Sequence, residues 1–143
     1  MSHALIIEDE FLLAFTVEEA LRQLGYSSFE IATTMTEAVA AARKRCPDLI
    51  VADHRILDGT GTDAVMTICS EQVIPVVFVT GSEPEVREHL PDAVVVSKPM
   101  TLPELEAAVK AARDNPLTLR EDGDAPGNSG APRPAGSGAQ PAA

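Results

Sequence analysis

Five short apolar runs punctuate the first 115 residues, at positions 4–7, 29–32, 49–52, 76–79 and 93–96. Four of them are continuous rather than alternating, as strands covered on both faces are. The run at Phe29, Glu30 and Ile31 alternates instead, which predicts an edge strand. Helical periodicity fills the gaps. Between Phe11 and Leu24 it puts Leu13, Val17, Ala20, Leu21 and Leu24 on one face, and Gly25 follows as a stop. Thr34 with Glu37, Ser82 with Glu85, and Thr101 with Glu104 have capping-box spacing at the heads of later helices. In the last helix Leu102, Leu105, Val109 and Ala112 form the predicted inward stripe. Strict alternation of five strands and five helices, without an internal repeat, predicts an α/β fold: a doubly wound parallel sheet with helices on both faces.

The pattern stops near residue 115. Sixteen of the 28 residues from 116 to 143 are Gly, Pro or Ala, and only Leu117 and Leu119 are large and apolar. Such a stretch buries too little surface to offset its ordering entropy, so a disordered tail is expected there behind a single domain at 1–115. Charge narrows the partners. With 22 acidic and 11 basic residues the net charge is −11, the wrong sign for a nucleic-acid backbone or an anionic membrane. Five aromatic residues and no Trp disfavour a base-stacking surface. No apolar run is long enough to span a bilayer, and no basic-then-apolar leader opens the chain. Cys46 and Cys69 stand apart without metal-ligand spacing, which predicts free thiols in a reducing cytoplasm.

In an open parallel sheet, ligands bind beyond the carboxyl ends of the strands, where strand order reverses. The residues that follow the apolar runs therefore carry the candidate chemistry. They are Glu8, Asp9 and Glu10 after the first, Asp53 after the third, Thr80 after the fourth, and Ser97, Lys98 and Pro99 after the fifth. Carboxylates, a hydroxyl and an ammonium would converge on one rim. Hard oxygen donors around a small gap suit Mg²⁺, which takes few protein ligands and keeps waters. A metal, an ammonium and a hydroxyl around one Asp are what phosphoryl transfer onto a carboxylate requires.

These residues resemble the receiver domain of bacterial two-component response regulators, over residues 4–114. The resemblance rests on Ile7-Glu8-Asp9-Glu10, on Asp53 with Gly61 eight positions later, on Thr80, and on Lys98-Pro99, with 44 residues from Asp9 to Asp53. It implies strand order 2-1-3-4-5. It also implies Asp53 as phosphoacceptor, Thr80 and Lys98 as phosphoryl-binding and switch residues, and Mg²⁺ held by Glu8, Asp9, Asp53 and the backbone carbonyl of Arg55. The implied protein is a signalling switch rather than an enzyme. A histidine kinase or phosphotransfer protein would charge it, and a downstream protein would be its target. The chain departs from the family pattern at several places. Glu8 replaces a frequent Asp, Leu57 a frequent Pro, Val95 the aromatic three residues before the Lys, and Gly81 a frequent Ala. Only 18 residues separate Thr80 from Lys98, which predicts a short fourth helix. The segment Phe78-Val79-Thr80-Gly81 is similar to the Phe-Ala-Thr-Gly loop of one receiver subgroup, without that subgroup's Tyr. Glu10 and Arg55, opposite in charge and flanking Asp9 and Asp53, are expected to pair across the mouth of the site and modulate phosphoryl lifetime.

Two other readings stay open at the level of sequence. One is a pseudo-receiver kept only as a docking surface. The other is a haloacid-dehalogenase-like phosphatase suggested by Asp58-Gly59-Thr60, although Ile56 stands where that signature needs a second Asp. His54 lies beside Asp53 but alternates to the other side of the strand end, which predicts packing or solvent rather than a ligand. His3 and His89 share no zinc-ligand spacing with each other or with either Cys, and Arg43, Lys44 and Arg45 suit a helix C-terminus.

Overall fold

The structure, a computed structural model, describes residues 2–117. The expected tail therefore lies, beyond Leu117, outside the described residues. Ten elements alternate along the chain: β1 (His3–Ile7), α1 (Phe11–Gln23), β2 (Ser28–Ala32), α2 (Met35–Lys44), β3 (Leu49–Ala52), α3 (Gly61–Cys69), β4 (Val76–Thr80), α4 (Glu83–His89), β5 (Val94–Ser97) and α5 (Leu102–Asp114). The five strands form one parallel sheet in the order β2-β1-β3-β4-β5, the doubly wound arrangement that the resemblance implies, with the alternating β2 at an edge.

Successive side chains on a strand point to opposite faces, and the core divides accordingly. Leu5, Ile7, Ile50, Ala52, Val76 and Phe78 face α2, α3 and α4. Ala4, Ile6, Leu49, Val51, Val77 and Val79 face α1 and α5. Leu117 packs against the first of these clusters.

Three helices start where a hydroxyl can cap them. Thr34, Thr60 and Thr101 accept from the amides of Glu37, Asp63 and Glu104 at 3.1, 3.0 and 3.3 Å. Only Thr101 completes the reciprocal box, its amide donating to Glu104. Glu37 reaches back one residue further than expected, to the amide and hydroxyl of Thr33. Ser82 departs from expectation outright: it stands at the head of α4 but makes no side-chain cap, its backbone at φ −119° and ψ 44° being outside the extended form of an N-cap, and its hydroxyl accepts from Arg55 instead. Leu102 also departs from the predicted inward stripe. It is 37% exposed, beside Leu12 and Phe15 of α1, and Ala108 joins Leu105, Val109 and Ala112 in the core instead. The short fourth helix is present, with seven residues.

Candidate functional site

Register places the site. Ile7 pairs with Ala52, Ala52 with Phe78, and Thr80 with Ser97, so β1 and β3 end level with each other while β4 and β5 run two residues further along the same rim. The amide of Asp53 donates to Ile7 at 2.9 Å and that of Lys98 to Thr80 at 3.1 Å, which extends the ladder one residue into the loops. Glu8 and Asp53 thus leave adjacent strands at the point where strand order reverses. Both are buried, at 4% and 5% exposure.

Lys98 ties them together. Its ammonium donates to Asp53 Oδ2 at 2.7 Å and lies 3.4 Å from Glu8 Oε1 and 3.5 Å from Glu10 Oε1. Asp53 Oδ1 accepts the amide of His54 at 2.6 Å, so both oxygens of this carboxylate are oriented. Glu8 Oε2 accepts the amide of Glu10 at 3.1 Å. Burial pulls the Lys98 ammonium down, but its hydrogen bond to Asp53 and the charges of Asp53, Glu8 and Glu10 outweigh that and hold it above the usual lysine value. Glu8 is driven the other way for an acid. Desolvation, the Asp53 charge and the neighbouring Asp9 carboxyl raise it to about 7 against the pull of the Glu10 amide and Lys98. One ammonium does not neutralise this cluster.

Thr80 is fully buried, and its hydroxyl accepts the amide of Ser82 at 3.0 Å. Val95 is partly buried against the α2–α3–α4 cluster, so no aromatic ring stands at that position to move. Asp9 is half-buried on the same rim. Gly61 opens α3 directly behind Asp53. A Cβ there would lie 1.7 Å from the Asp53 carbonyl oxygen, so only glycine fits. Gly81 is different, because a Cβ would meet open space.

The expected pairing of Glu10 with Arg55 does not form. Glu10 turns to Lys98, and Arg55 turns to the β4–α4 loop, where its Nε donates to Ser82 Oγ at 2.9 Å and its second arm meets Glu85 at 3.3 Å. Lys98 offers Glu10 a cation already inside the site, and the buried Ser82 hydroxyl holds Arg55 on the other side. Ser82 and Glu85 were legible in the sequence only as helix-capping residues, since no spacing rule reports contacts 27 and 30 residues apart. His54 packs its ring against Thr62, with 2.8 Å between Nδ1 and Oγ1.

A family model described as the response regulator receiver domain matches residues 4–110. The chain belongs to the response regulator receiver family. Its receiver fold is similar to the response regulator REC domain of PhyR from Erythrobacter litoralis. That match has a TM-score of 0.71 and 30% identity over 82% of this chain and 93% of that one. In sequence it is 36% identical over 113 residues to the phyllosphere-induced regulator PhyR of Methylorubrum extorquens, covering 76% of this chain and 42% of that protein. It is 33% identical over 112 residues to the transcriptional regulatory protein PdtaR of Mycobacterium tuberculosis, covering 76% of this chain and 55% of that protein. The chain spans about half the length of the curated relatives it matches.

Whether this receiver's residues suit a metal depends on their chemistry. Among the described residues, no three His, Cys, Asp or Glu side chains are arranged as a ready metal cage. The donors are nevertheless hard oxygens, and the carboxylates of Glu8, Glu10 and Asp53 share the single ammonium of Lys98. A divalent ion that keeps most of its waters fits such a rim.

Proposed function

We propose that this receiver accepts a phosphoryl group on Asp53 from a phosphohistidine of a kinase or phosphotransfer protein, and signals by changing its contacts with a protein target. The contact of Asp53 with Lys98, beside buried Glu8, carries this reading. It gives one oriented carboxylate oxygen a cation for the charge that develops during transfer. An Asp53 oxygen attacks phosphorus, the phosphorus–nitrogen bond of the donor breaks, and the imidazole leaves with that electron pair and takes up a proton. Asp53 is consumed once per transfer, so the protein is a substrate of its donor and not an enzyme.

Asp9, Asp53 and the carbonyl of Arg55 would hold Mg²⁺, with Glu8 reaching it through water. The ion, when bound, supplies charge that neutralises the phosphoryl oxygens. Lys98 orients the attacking carboxylate, and Thr80 has a hydroxyl proton to give to a phosphoryl oxygen. Without an aromatic at Val95, the relay to the surface would run through the backbone of the β4–α4 loop, as in the Phe-Ala-Thr-Gly subgroup it resembles.

A place for the donor adjoins Lys98. Glu10, Leu12, Leu13, Thr16, Pro99 and Met100 line a groove there, and Leu12 is 84% exposed. Phe11 and Phe15 beside it are also exposed and stack at 6.2 Å. An apolar rim next to the acceptor suits a helix that carries the phosphohistidine. A cytoplasmic setting is supported by the free thiols of Cys46 and Cys69. Among the described residues, no helix is long and apolar enough to cross a membrane.

Acetyl phosphate with Mg²⁺, followed by intact mass, tests the reading. Wild type should gain one phosphoryl group, and Asp53→Ala and Asp9→Asn should gain none. A wild-type mass that never changes would leave a docking module without phosphorylation. Leu12→Ser should slow transfer from a phosphohistidine donor while leaving the acetyl phosphate rate unchanged.

A further inference from the structure

Ser82 is held from two sides. Its hydroxyl accepts from Arg55 Nε at 2.9 Å, and its amide donates to the Thr80 hydroxyl at 3.0 Å. The other arm of Arg55 reaches Glu85, in the first turn of α4, at 3.3 Å. Three segments meet here: the loop after Asp53, the end of β4 and the start of α4. Ser82 is 7% exposed, whereas the Arg55 side chain is 76% exposed. The bond to buried Ser82 is therefore the anchor, and the solvated ion pair with Glu85 adds little.

Ser82 gives α4 no side-chain cap, and its backbone, at φ −119° and ψ 44°, lacks the extended form of the three threonine caps. Of the seven residues of α4 only Val86 is buried. An element with so few apolar contacts opens more readily than the rest of the fold, so its polar ties matter. The ties of Glu83 to Ser97 and of Arg87 to Glu83, Pro91 and Ala93 close the helix on itself and on β5. The ties of Arg55 to Ser82 and Glu85 join it to the loop bearing Asp53, and of the two the one to Ser82 is the shorter and the more buried.

A phosphoryl group brings roughly two negative charges. Lys98 already binds Asp53 Oδ2, and two other side chains with protons to give stand close in the fold: the guanidinium of Arg55, two residues along the chain, and the hydroxyl of Thr80, on the strand paired with β3. Both of them hold Ser82. Drawing either toward the phosphoryl oxygens removes one hold, and drawing both frees the loop.

We propose that Arg55 and Ser82 form a latch that positions Thr80 and fastens α4 while Asp53 is bare, and that a phosphoryl group on Asp53 opens it. The second half rests on the phosphoacceptor reading of Asp53; the first half does not. The test is amide exchange across residues 82–90 of the full chain, without and then with acetyl phosphate and Mg²⁺, with intact mass recorded in parallel. In the bare protein, Arg55→Ala should speed exchange in this segment about fivefold, as loss of one modest hydrogen bond does to an opening equilibrium, and leave α1 and α5 unchanged. Ser82→Ala should do the same, and the double variant should exceed neither single one. Arg55 is exposed, so its variant folds even where that of Ser82 does not. Equal exchange in bare wild type and Arg55→Ala would overturn the latch, as would an increase spread over the whole molecule. On phosphorylation, wild type should approach the exchange of bare Arg55→Ala, and the variant should change less. A wild type that gains the phosphoryl mass with unaltered exchange at 82–90 overturns the release step. A wild type that gains no mass overturns the phosphoacceptor reading, while the bare-protein comparison still decides the latch.

Discussion

Two residues at the strand ends show what proximity does to ordinary side chains. Glu8 is held at about 7 by burial first, then by Asp53 and Asp9. The folded protein therefore keeps a proton on Glu8 between about pH 4.5 and 7 that the unfolded chain has released. In that window stability falls as pH rises, and above it the loss levels off. In buffer free of divalent ions, the stability of wild type relative to Glu8→Gln should decline across the window by on the order of 3 kcal/mol. Urea unfolding at stepped pH measures it, and a flat difference would mean that Glu8 ionises normally. Gly61 is governed by space rather than charge. With a Cβ 1.7 Å from the Asp53 carbonyl, Gly61→Ala should cost about 3 kcal/mol and displace Asp53. Gly81→Ala, in open space, should stay within about 0.5 kcal/mol of wild type, so the contrast separates close packing from loop freedom.

At the scale of elements, stability is unevenly shared. α1 buries Ala14, Val17, Ala20 and Leu21, whereas α4 buries Val86. Val86→Ala should cost about 2 kcal/mol and quicken amide exchange in α4 before other helices respond. Element type and order were legible because periodicity is set by local geometry: apolar runs of four or five residues separated by helical stripes admit few other folds. The caps at Thr34, Thr60 and Thr101 are equally local, although only those at 34 and 101 carry a Glu three residues on. Ser82 was not legible in this way. Its spacing to Glu85 matches a cap, yet Arg55 captures the hydroxyl from 27 residues away. Leu102 fits the helical phase of α5 but lies in the groove toward α1, because the period gives a face and not what covers it. The meeting of Glu8, Asp53 and Lys98 was legible for a different reason. A parallel sheet brings the residues that follow its strands to one edge and so converts sequence position into spatial convergence, whereas the direction of a long side chain such as Glu10 or Arg55 is settled by competing partners.

The whole molecule sets one rim of charge on a sheet filled from both sides. Phe78 is fully buried on one face, and Thr80, two residues on, carries the same strand into the site. A net charge of −11 attracts cations everywhere on the surface, so divalent ions will screen the protein whether or not it has a site. A specific site is distinguished by linkage. An ion bound only by the folded state, at ten times its dissociation constant, stabilises by about 1.4 kcal/mol, which for a domain of this size raises the midpoint of thermal unfolding by about 6 °C. That rise should remain when NaCl is added to equal ionic strength in both arms, and it should vanish in Asp9→Asn and Asp53→Asn. It should also depend on pH in the direction opposite to the unliganded protein. At pH 6 an incoming Mg²⁺ must share its field with a proton held on Glu8, and at pH 8 that proton is gone. Thermal unfolding with and without Mg²⁺ at the two pH values decides it. A larger rise at pH 8 is expected, and an equal rise at both would separate Glu8 from the metal.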